Sequence, residues 1–172
     1  MQVAYFERVK NRSSVRYTTF TRQQLHMFKY NGMEVLARPM ALMMAETIYN
    51  HYKQVQFGCV TYVPMDENKQ KQRGYNQAHL LALEISKRIS VPMYALLART
   101  TPSEAQSKKN RVERLKIGKG VFIGREDMEF AFSKQTVLLI DDVYTTGATI
   151  RACTQVLKDQ GAEHVYAITF AR

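Results

Sequence analysis

The chain has 172 residues, 45% of them hydrophobic, and a formal net charge of +10 at pH 7. This length fits one domain with a substantial core, while no apolar run approaches the roughly 20 residues that span a bilayer and the N-terminus lacks the apolar core of a signal peptide. Because the two cysteines are far apart and provide no disulfide framework, we expect a cytoplasmic protein without membrane insertion.

The positive charge is concentrated in one part of the chain. Residues 69–119 contain twelve Lys or Arg against three acidic residues, a net charge of +9, whereas residues 120–172 have a net charge of −2. Such a basic segment must meet something anionic, namely a pyrophosphate, a nucleic acid backbone, or both.

The N-terminal third is predicted to be helical. Apolar spacing favours a short helix over residues 20–29, ended by the Asn31-Gly32 pair, and a longer one over residues 33–52. The methionines of the longer helix are interpreted as core residues. We assign residues 1–55 to an N-terminal helical hood and residues 56–172 to a compact α/β core.

The core is predicted to alternate strands with helices. Polar loops separate these elements at residues 65–72 and 99–119, and the second loop has the length of a functional loop. The alternation indicates an α/β fold with a mostly parallel twisted sheet flanked by helices. The predicted strands cover residues 59–64, 93–97, 120–123, 136–140 and 164–170, and the predicted helices cover residues 75–89 and 150–160.

The segment VLLIDDVYTTGAT, residues 137–149, is the strongest functional signal. Its apolar start indicates a strand buried on both faces, and Asp141 and Asp142 follow at the carboxyl end, where open α/β sheets bind ligands. Carboxylates accept hydrogen bonds from vicinal hydroxyls, and N–H groups at a helix start bind phosphate, so the pattern suggests ribose 5-phosphate. The alternative is a strand end followed by an ordinary capped turn. The candidate phosphate-binding residues are Thr145, Thr146, Gly147, Ala148 and Thr149.

This motif resembles the 5-phosphoribosyl-1-pyrophosphate (PRPP) motif of type I phosphoribosyltransferases. Other stretches narrow the resemblance to the ComF family of competence-associated proteins: KYNG at residues 29–32, RGYNQAHLLA at 73–82, QSKKNRVER at 106–114 and the final AR. The resemblance implies that PRPP is the ligand, with the acid pair on its ribose hydroxyls and residues 145–149 on its 5-phosphate.

The resemblance also implies roles for two basic segments. The loop after the first core strand matches the pyrophosphate loop, where Arg73 is the strongest candidate because a guanidinium binds phosphate bidentately. Gln77 faces either this site or solvent. Residues 99–119 match a mobile catalytic loop, although the same basic segment also fits phosphate contacts to single-stranded DNA. The pyrophosphate-loop candidates are Pro64, Met65, Lys69, Lys71, Arg73 and Gln77; the mobile-loop candidates are Gln106 and Ser107; the catalytic candidates are Arg73, Arg99, Arg111 and Arg114.

Magnesium is the cofactor that the resemblance implies. Mg²⁺ binds largely through substrate phosphates and hydroxyls, so we expect it near Asp141 and Asp142 with PRPP and without a protein cage. Family members often carry a four-cysteine zinc ribbon, whereas this chain has only Cys59 and Cys153, and we predict no zinc. The chain also departs from the family pattern at Tyr62, Lys69 and Ile117.

Three functions fit these patterns. The leading one is Mg-dependent phosphoribosyl transfer from PRPP to an unknown acceptor, which the resemblance places in bacterial competence and DNA uptake. The second is a non-catalytic adaptor that keeps the fold and binds single-stranded DNA or other competence proteins. The third is a nucleobase salvage phosphoribosyltransferase, although the sequence contains no base-selecting motif.

Overall fold

A computed structural model of the chain describes residues 9–30, 32–100, 121–125 and 134–172. Within these ranges, no helix has the length and apolarity needed to cross a bilayer. The elements are, in chain order, β1 (Lys10–Val15), α1 (Thr19–Tyr30), a 3₁₀ turn (Glu34–Leu36), α2 (Ala37–His51), β2 (Cys59–Tyr62), α3 (Glu67–Arg73), α4 (Gln77–Ile89), β3 (Leu97–Arg99), β4 (Phe122–Gly124), β5 (Thr136–Val143), α5 (Ala148–Asp159) and β6 (His164–Ala171).

A four-stranded parallel sheet in the order β1-β6-β5-β2 forms the centre of the fold. The even residues of β5, Leu138 and Ile140, pack in one core with α1, α2 and α4, while Val137 and Leu139 pack on the other face with α5. Because helices cover both faces, residues 137–140 are fully buried. The predicted parallel α/β fold is confirmed.

The edge strand β1 was not predicted, and it joins the N-terminal region to the core. It runs parallel to β6 with Arg12 opposite Ile168. The Tyr52 hydroxyl, just after α2, donates to the carbonyls of Lys10 at 2.9 Å and Ala167 at 3.0 Å. Because α2 also packs on α4, β1 and β6, the described part of residues 1–55 shares one core with the rest of the chain, and the predicted boundary at residue 55 marks no gap in packing.

Three local predictions are corrected by the structure. Residues 65–72, predicted as a loop, contain most of α3, because the Asp66 carboxylate accepts from the N–H groups of Asn68 and Lys69 and caps the helix. The predicted strand over residues 93–97 reduces to a single bridge between Met93 and Val60 before β3 begins. Met43, predicted to lie in the core, is exposed.

Candidate functional site

A cavity of about 250 Å³ opens at the carboxyl ends of β2 and β5. The parallel register places Tyr62 opposite Ile140, so the loop after β2 and the acid pair at the end of β5 meet at one edge of the sheet. Lys71, which is exposed on α3, does not line the cavity, and neither do four of the predicted phosphate-binding residues, Thr145, Thr146, Gly147 and Ala148. The predicted site residues that do line it are Pro64, Met65, Lys69, Arg73, Gln77, Arg99, Asp141, Asp142 and Thr149.

The two carboxyl groups of the acid pair have different environments. The Asp142 N–H donates to the Asp141 carboxylate at 2.8 Å, and the Asp142 carboxylate pairs with the ammonium of Lys29. Burial raises the pKa of Asp141 well above its usual value, and the negative charge of Asp142 raises it further. The hydrogen bond from the Asp142 N–H and the positive charge of Lys29 lower this pKa, but by less. Asp141 therefore has a higher proton affinity than an ordinary aspartate.

Lys29 is a cavity residue that the sequence patterns did not identify. It lies in the last turn of α1. The buried residues Leu25 and Phe28 anchor the same helix in the core, and Lys29 lines the cavity at the carboxyl ends of the strands. The side chains of Lys29 and Asp142 are 23% and 15% exposed, so this is a part-buried ion pair. The KYNG motif that begins with Lys29 was the signal that could have identified it.

The Thr/Gly loop, residues 145–149, is built around a glycine that no other residue can replace without strain. Gly147 has φ +76, and a Cβ there would lie 2.3 Å from the Tyr144 hydroxyl oxygen and 2.9 Å from Nη1 of Arg151. The same Arg151 nitrogen donates to the Thr146 carbonyl at 3.0 Å. Gly147 immediately precedes α5, so the loop ends at a helix N-terminus whose first N–H groups have no intrahelical partner.

Arg73, which lines the cavity together with Lys69, is held in place by two neighbouring side chains, Gln77 and Tyr30. Its guanidinium donates to the side-chain amide oxygen (Oε1) of Gln77 at 3.1 Å and to the Tyr30 hydroxyl at 3.1 Å, and it lies 4.7 Å from the centre of the Tyr30 ring. Tyr30 was also not predicted, although it is the second residue of KYNG. Its stacking and hydrogen bond orient the guanidinium.

The sequence left open whether Gln77, in the first turn of α4, faces the site or solvent. In the structure it faces the cavity. It is 2% exposed and lines the cavity. Its amide nitrogen makes no hydrogen bond of ordinary geometry within the described part of the chain, although the side chain interacts with the Tyr75 hydroxyl. A buried donor without a partner is costly, so this nitrogen is suited to an acceptor atom of a ligand.

Two further cavity residues shape the loop after β2. Asn76 caps α4 by accepting from the Ala78 N–H at 2.9 Å, and its amide donates to the Val63 carbonyl at 3.0 Å. Asp66 caps α3. Neither residue was predicted as part of the site. The preference of Asp and Asn for the N-cap position of helices is the sequence feature that could have identified them.

The remaining predicted site residues and the metals are not tested by this geometry. Gln106, Ser107, Arg111 and Arg114 lie outside the described residues. Within the described ranges, no three His, Cys, Asp or Glu side chains form a group that could hold a metal ion. Cys59 and Cys153 are free and buried, and burial raises the pKa of the Cys59 thiol to about 11. Both the magnesium and the no-zinc expectations stay predictions.

The sequence is similar to that of several competence proteins. Competence protein ComFC of Bacillus subtilis (strain 168) is 30% identical over 164 residues, covering 95% of this chain and 64% of the relative. Competence protein ComFC of Streptococcus pneumoniae is 30% identical over 168 residues, covering 95% and 69% respectively. The chain thus spans about two thirds of the length of these two relatives.

Comparison with solved structures agrees with the observed sheet. Glutamine PRPP amidotransferase from Bacillus subtilis, complexed with ADP and GMP, aligns with a TM-score of 0.55 over 77% of this chain and 25% of that chain, at 16% identity. The allosteric regulatory enzyme of purine biosynthesis aligns with a TM-score of 0.52 at the same identity and coverage. At such identity the likeness concerns the fold alone.

The family assignment rests on a match that includes the candidate site. Residues 76–172, more than half of the chain, match the phosphoribosyl transferase domain, and this span contains the acid pair and the Thr/Gly loop. Together with the ComFC relatives, the match shows that the chain belongs to the phosphoribosyl transferase domain family and is a ComF-type protein of phosphoribosyltransferase fold.

Proposed function

We propose that the cavity binds PRPP together with Mg²⁺ and that the protein transfers the phosphoribosyl group to an acceptor during bacterial competence. One observation carries the proposal: the acid pair, Thr149 of the Thr/Gly loop and the basic residues Lys69 and Arg73 line the same cavity of about 250 Å³. PRPP carries its ribose hydroxyls between a 5-phosphate and a 1-pyrophosphate, and the cavity offers both acceptors and anion-binding donors.

Each part of PRPP has a suitable partner. The N–H groups at the start of α5 and the hydroxyls of the Thr/Gly loop suit the 5-phosphate. The Asp141 and Asp142 carboxyl groups suit the ribose hydroxyls as acceptors. Lys69, Arg73 and the amide nitrogen of Gln77, which also line the cavity, suit the pyrophosphate.

Transfer breaks the bond between C1 of the ribose and the pyrophosphate oxygen and forms a bond between C1 and the nucleophilic atom of the acceptor, while negative charge develops on the leaving pyrophosphate. Arg73 is positioned to stabilise that charge because Tyr30 and Gln77 already fix its guanidinium, so little reorganisation is needed. Bound Mg²⁺ would supply further charge neutralisation on the pyrophosphate. The adjacent carboxyl groups of Asp141 and Asp142 fit a metal that is held chiefly through its substrate.

Support for the biological role comes from the relatives. The proteins to which this chain is similar are named competence proteins, so we infer that the acceptor belongs to DNA uptake rather than to nucleobase salvage. The acceptor would meet the cavity on the side formed by α1, where Lys29 and Tyr30 lie.

Isothermal titration with PRPP and Mg²⁺ tests the assignment. The wild type should bind, and the double variant Asp141→Asn/Asp142→Asn should bind at least about tenfold more weakly, because each lost carboxylate removes a charge-assisted hydrogen bond. The variant Glu84→Gln/Glu163→Gln is the matched control, since it also removes two acids but neither lines the cavity. Equal binding by all three proteins would overturn the assignment. Salt-sensitive binding of single-stranded DNA that survives loss of the acid pair would instead favour the adaptor.

A further inference from the structure

The outward face of α2, with the 3₁₀ turn before it, is apolar along most of its length. The side chains of Val35, Leu42, Met43 and Tyr49 are 73%, 54%, 43% and 64% exposed. Spacings of seven residues place Val35, Leu42 and Tyr49 in one row, on the side opposite the buried residues of the helix. Scattered exposed apolar residues are ordinary, but several large apolar side chains exposed along one helix face are typical of an interaction surface.

Two opposite charges interrupt this apolar row at symmetric positions. Arg38 and Glu46 are both exposed, and each is four residues from Leu42 on either side. They lie about 12 Å apart along the helix axis, too far to pair with each other. Among the described residues, neither is found in an ion pair. The face therefore has a positive and a negative site equidistant from its apolar centre.

We propose that this face binds the same face of a second copy of this chain, with the two α2 helices antiparallel and the two-fold axis at Leu42. In this register Arg38 of each copy lies opposite Glu46 of the other, and Val35 lies opposite Tyr49. A parallel pairing would place Arg38 opposite Arg38 and Glu46 opposite Glu46. A second copy fits better than an unrelated partner because the row is complementary to itself under a two-fold rotation, as an isologous interface requires.

The dimer should be weak and should leave the cavity open. One pair of helices of this length buries less than the roughly 1,200–2,000 Å² of a stable interface, so dimerisation depends on protein concentration. No described residue of α2 lines the cavity. Self-association is therefore separable from ligand binding, and its test does not depend on the proposed function.

Sedimentation equilibrium of the full chain over a wide concentration range tests the proposal. The wild type should dimerise at high concentration, and Arg38→Glu or Glu46→Arg alone should weaken dimerisation about tenfold, because each creates two like-charge contacts. Leu42→Lys should weaken it too, by placing two cations at the axis. The double variant Arg38→Glu/Glu46→Arg should restore the wild-type constant, since it only exchanges the two charges.

Arg88→Glu is the matched control, because Arg88 is exposed in the last turn of α4, away from this face. It should leave dimerisation unchanged, and thermal unfolding should confirm that every variant is folded. A wild type that stays monomeric throughout the range overturns the proposal. So does a dimer that is insensitive to these substitutions, or one that the charge exchange fails to restore.

Discussion

The acid pair and Lys29 show which parts of a site a sequence can reveal. Asp141 and Asp142 were predicted because they follow a buried strand and precede a glycine loop, all within thirteen consecutive residues. Lys29 was not assigned, because its contact with Asp142 joins positions far apart in the chain and depends on how α1 packs. Tyr30 was missed for the same reason, since it meets Arg73 only in the folded protein. Local patterns predict local parts of the site, whereas contacts between distant elements follow from packing.

Replacing Lys29 with Met should lower stability. The Asp142 carboxylate would then lie part-buried next to Asp141 without its cation, and breaking such a pair costs about 1–2 kcal/mol, less than for a fully buried pair. Chemical denaturation measures the change. Lys87→Met is the control, because Lys87 pairs with Glu84 at 3.1 Å but is 62% exposed, and its loss should cost no more than about 0.5 kcal/mol. Equal effects of the two substitutions would argue against a part-buried pair.

Replacing Asp141 with Asn should raise stability at neutral pH. Folding raises the pKa of Asp141, so the wild type loses stability as the pH rises from the usual aspartate range, roughly 4, through that raised pKa. The Asp141→Asn variant has no proton to lose there. Its melting temperature should therefore exceed that of the wild type at pH 7, and the two should converge near roughly pH 4. A difference that does not change with pH, measured by calorimetry, would contradict the raised pKa.

At the scale of secondary structure, periodic apolar elements were predicted better than polar ones. The two N-terminal helices, α4, α5 and the two central strands each present an apolar pattern to the core, and each was predicted close to its observed bounds. By contrast, β1 has the polar sequence KNRSSV and is an edge strand of the sheet. None of its residues is fully buried, so its sequence needs no run of apolar residues. The helix α3 contains no buried residue and depends on its cap. Elements without a buried face give no periodic signal.

Replacing Gly147 with Ala should destabilise the start of α5 and weaken PRPP binding. A left-handed backbone costs a non-glycine residue roughly 1–2 kcal/mol, and here the added Cβ would also meet the Tyr144 hydroxyl at 2.3 Å. We expect a total loss of about 2 kcal/mol or more in denaturant unfolding. Gly32→Ala is the control, because Gly32 has φ +64 but a Cβ added there would meet no atom within 4 Å. If both substitutions cost the same, the close approach of Tyr144 contributes nothing.

At the scale of the molecule, the helices α1, α2, α4 and α5 pack in two hydrophobic cores, one on each face of the four-stranded sheet. The larger core brings together α1, α2 and α4 with β5 and β6, so the N-terminal helices are as much a part of the interior as the later strands. The parallel topology followed from the alternation of strands and helices. The integration of residues 10–52 could not be predicted, because it depends on β1 and on the hydrogen bonds of the Tyr52 hydroxyl.

Residues 56–172 alone should not fold cooperatively. Without the N-terminal region β6 loses its pairing with β1, and α4 loses the α2 surface that covers Leu81 and Ile85. We expect a gradual thermal transition and poorly dispersed amide resonances for the fragment, against one sharp transition for the full chain. A fragment with a sharp transition and dispersed resonances would show that the predicted boundary at residue 55 separates two folding units.

The structure of the protein crystallised with PRPP and Mg²⁺ tests the central claim most directly. We predict the 5-phosphate on the N–H groups of residues 145–149, the ribose hydroxyls on Asp141 and Asp142, and the pyrophosphate beside Arg73 with the Gln77 amide nitrogen as a donor. PRPP bound outside this cavity, or bound with its pyrophosphate on the Thr/Gly loop, would contradict the account.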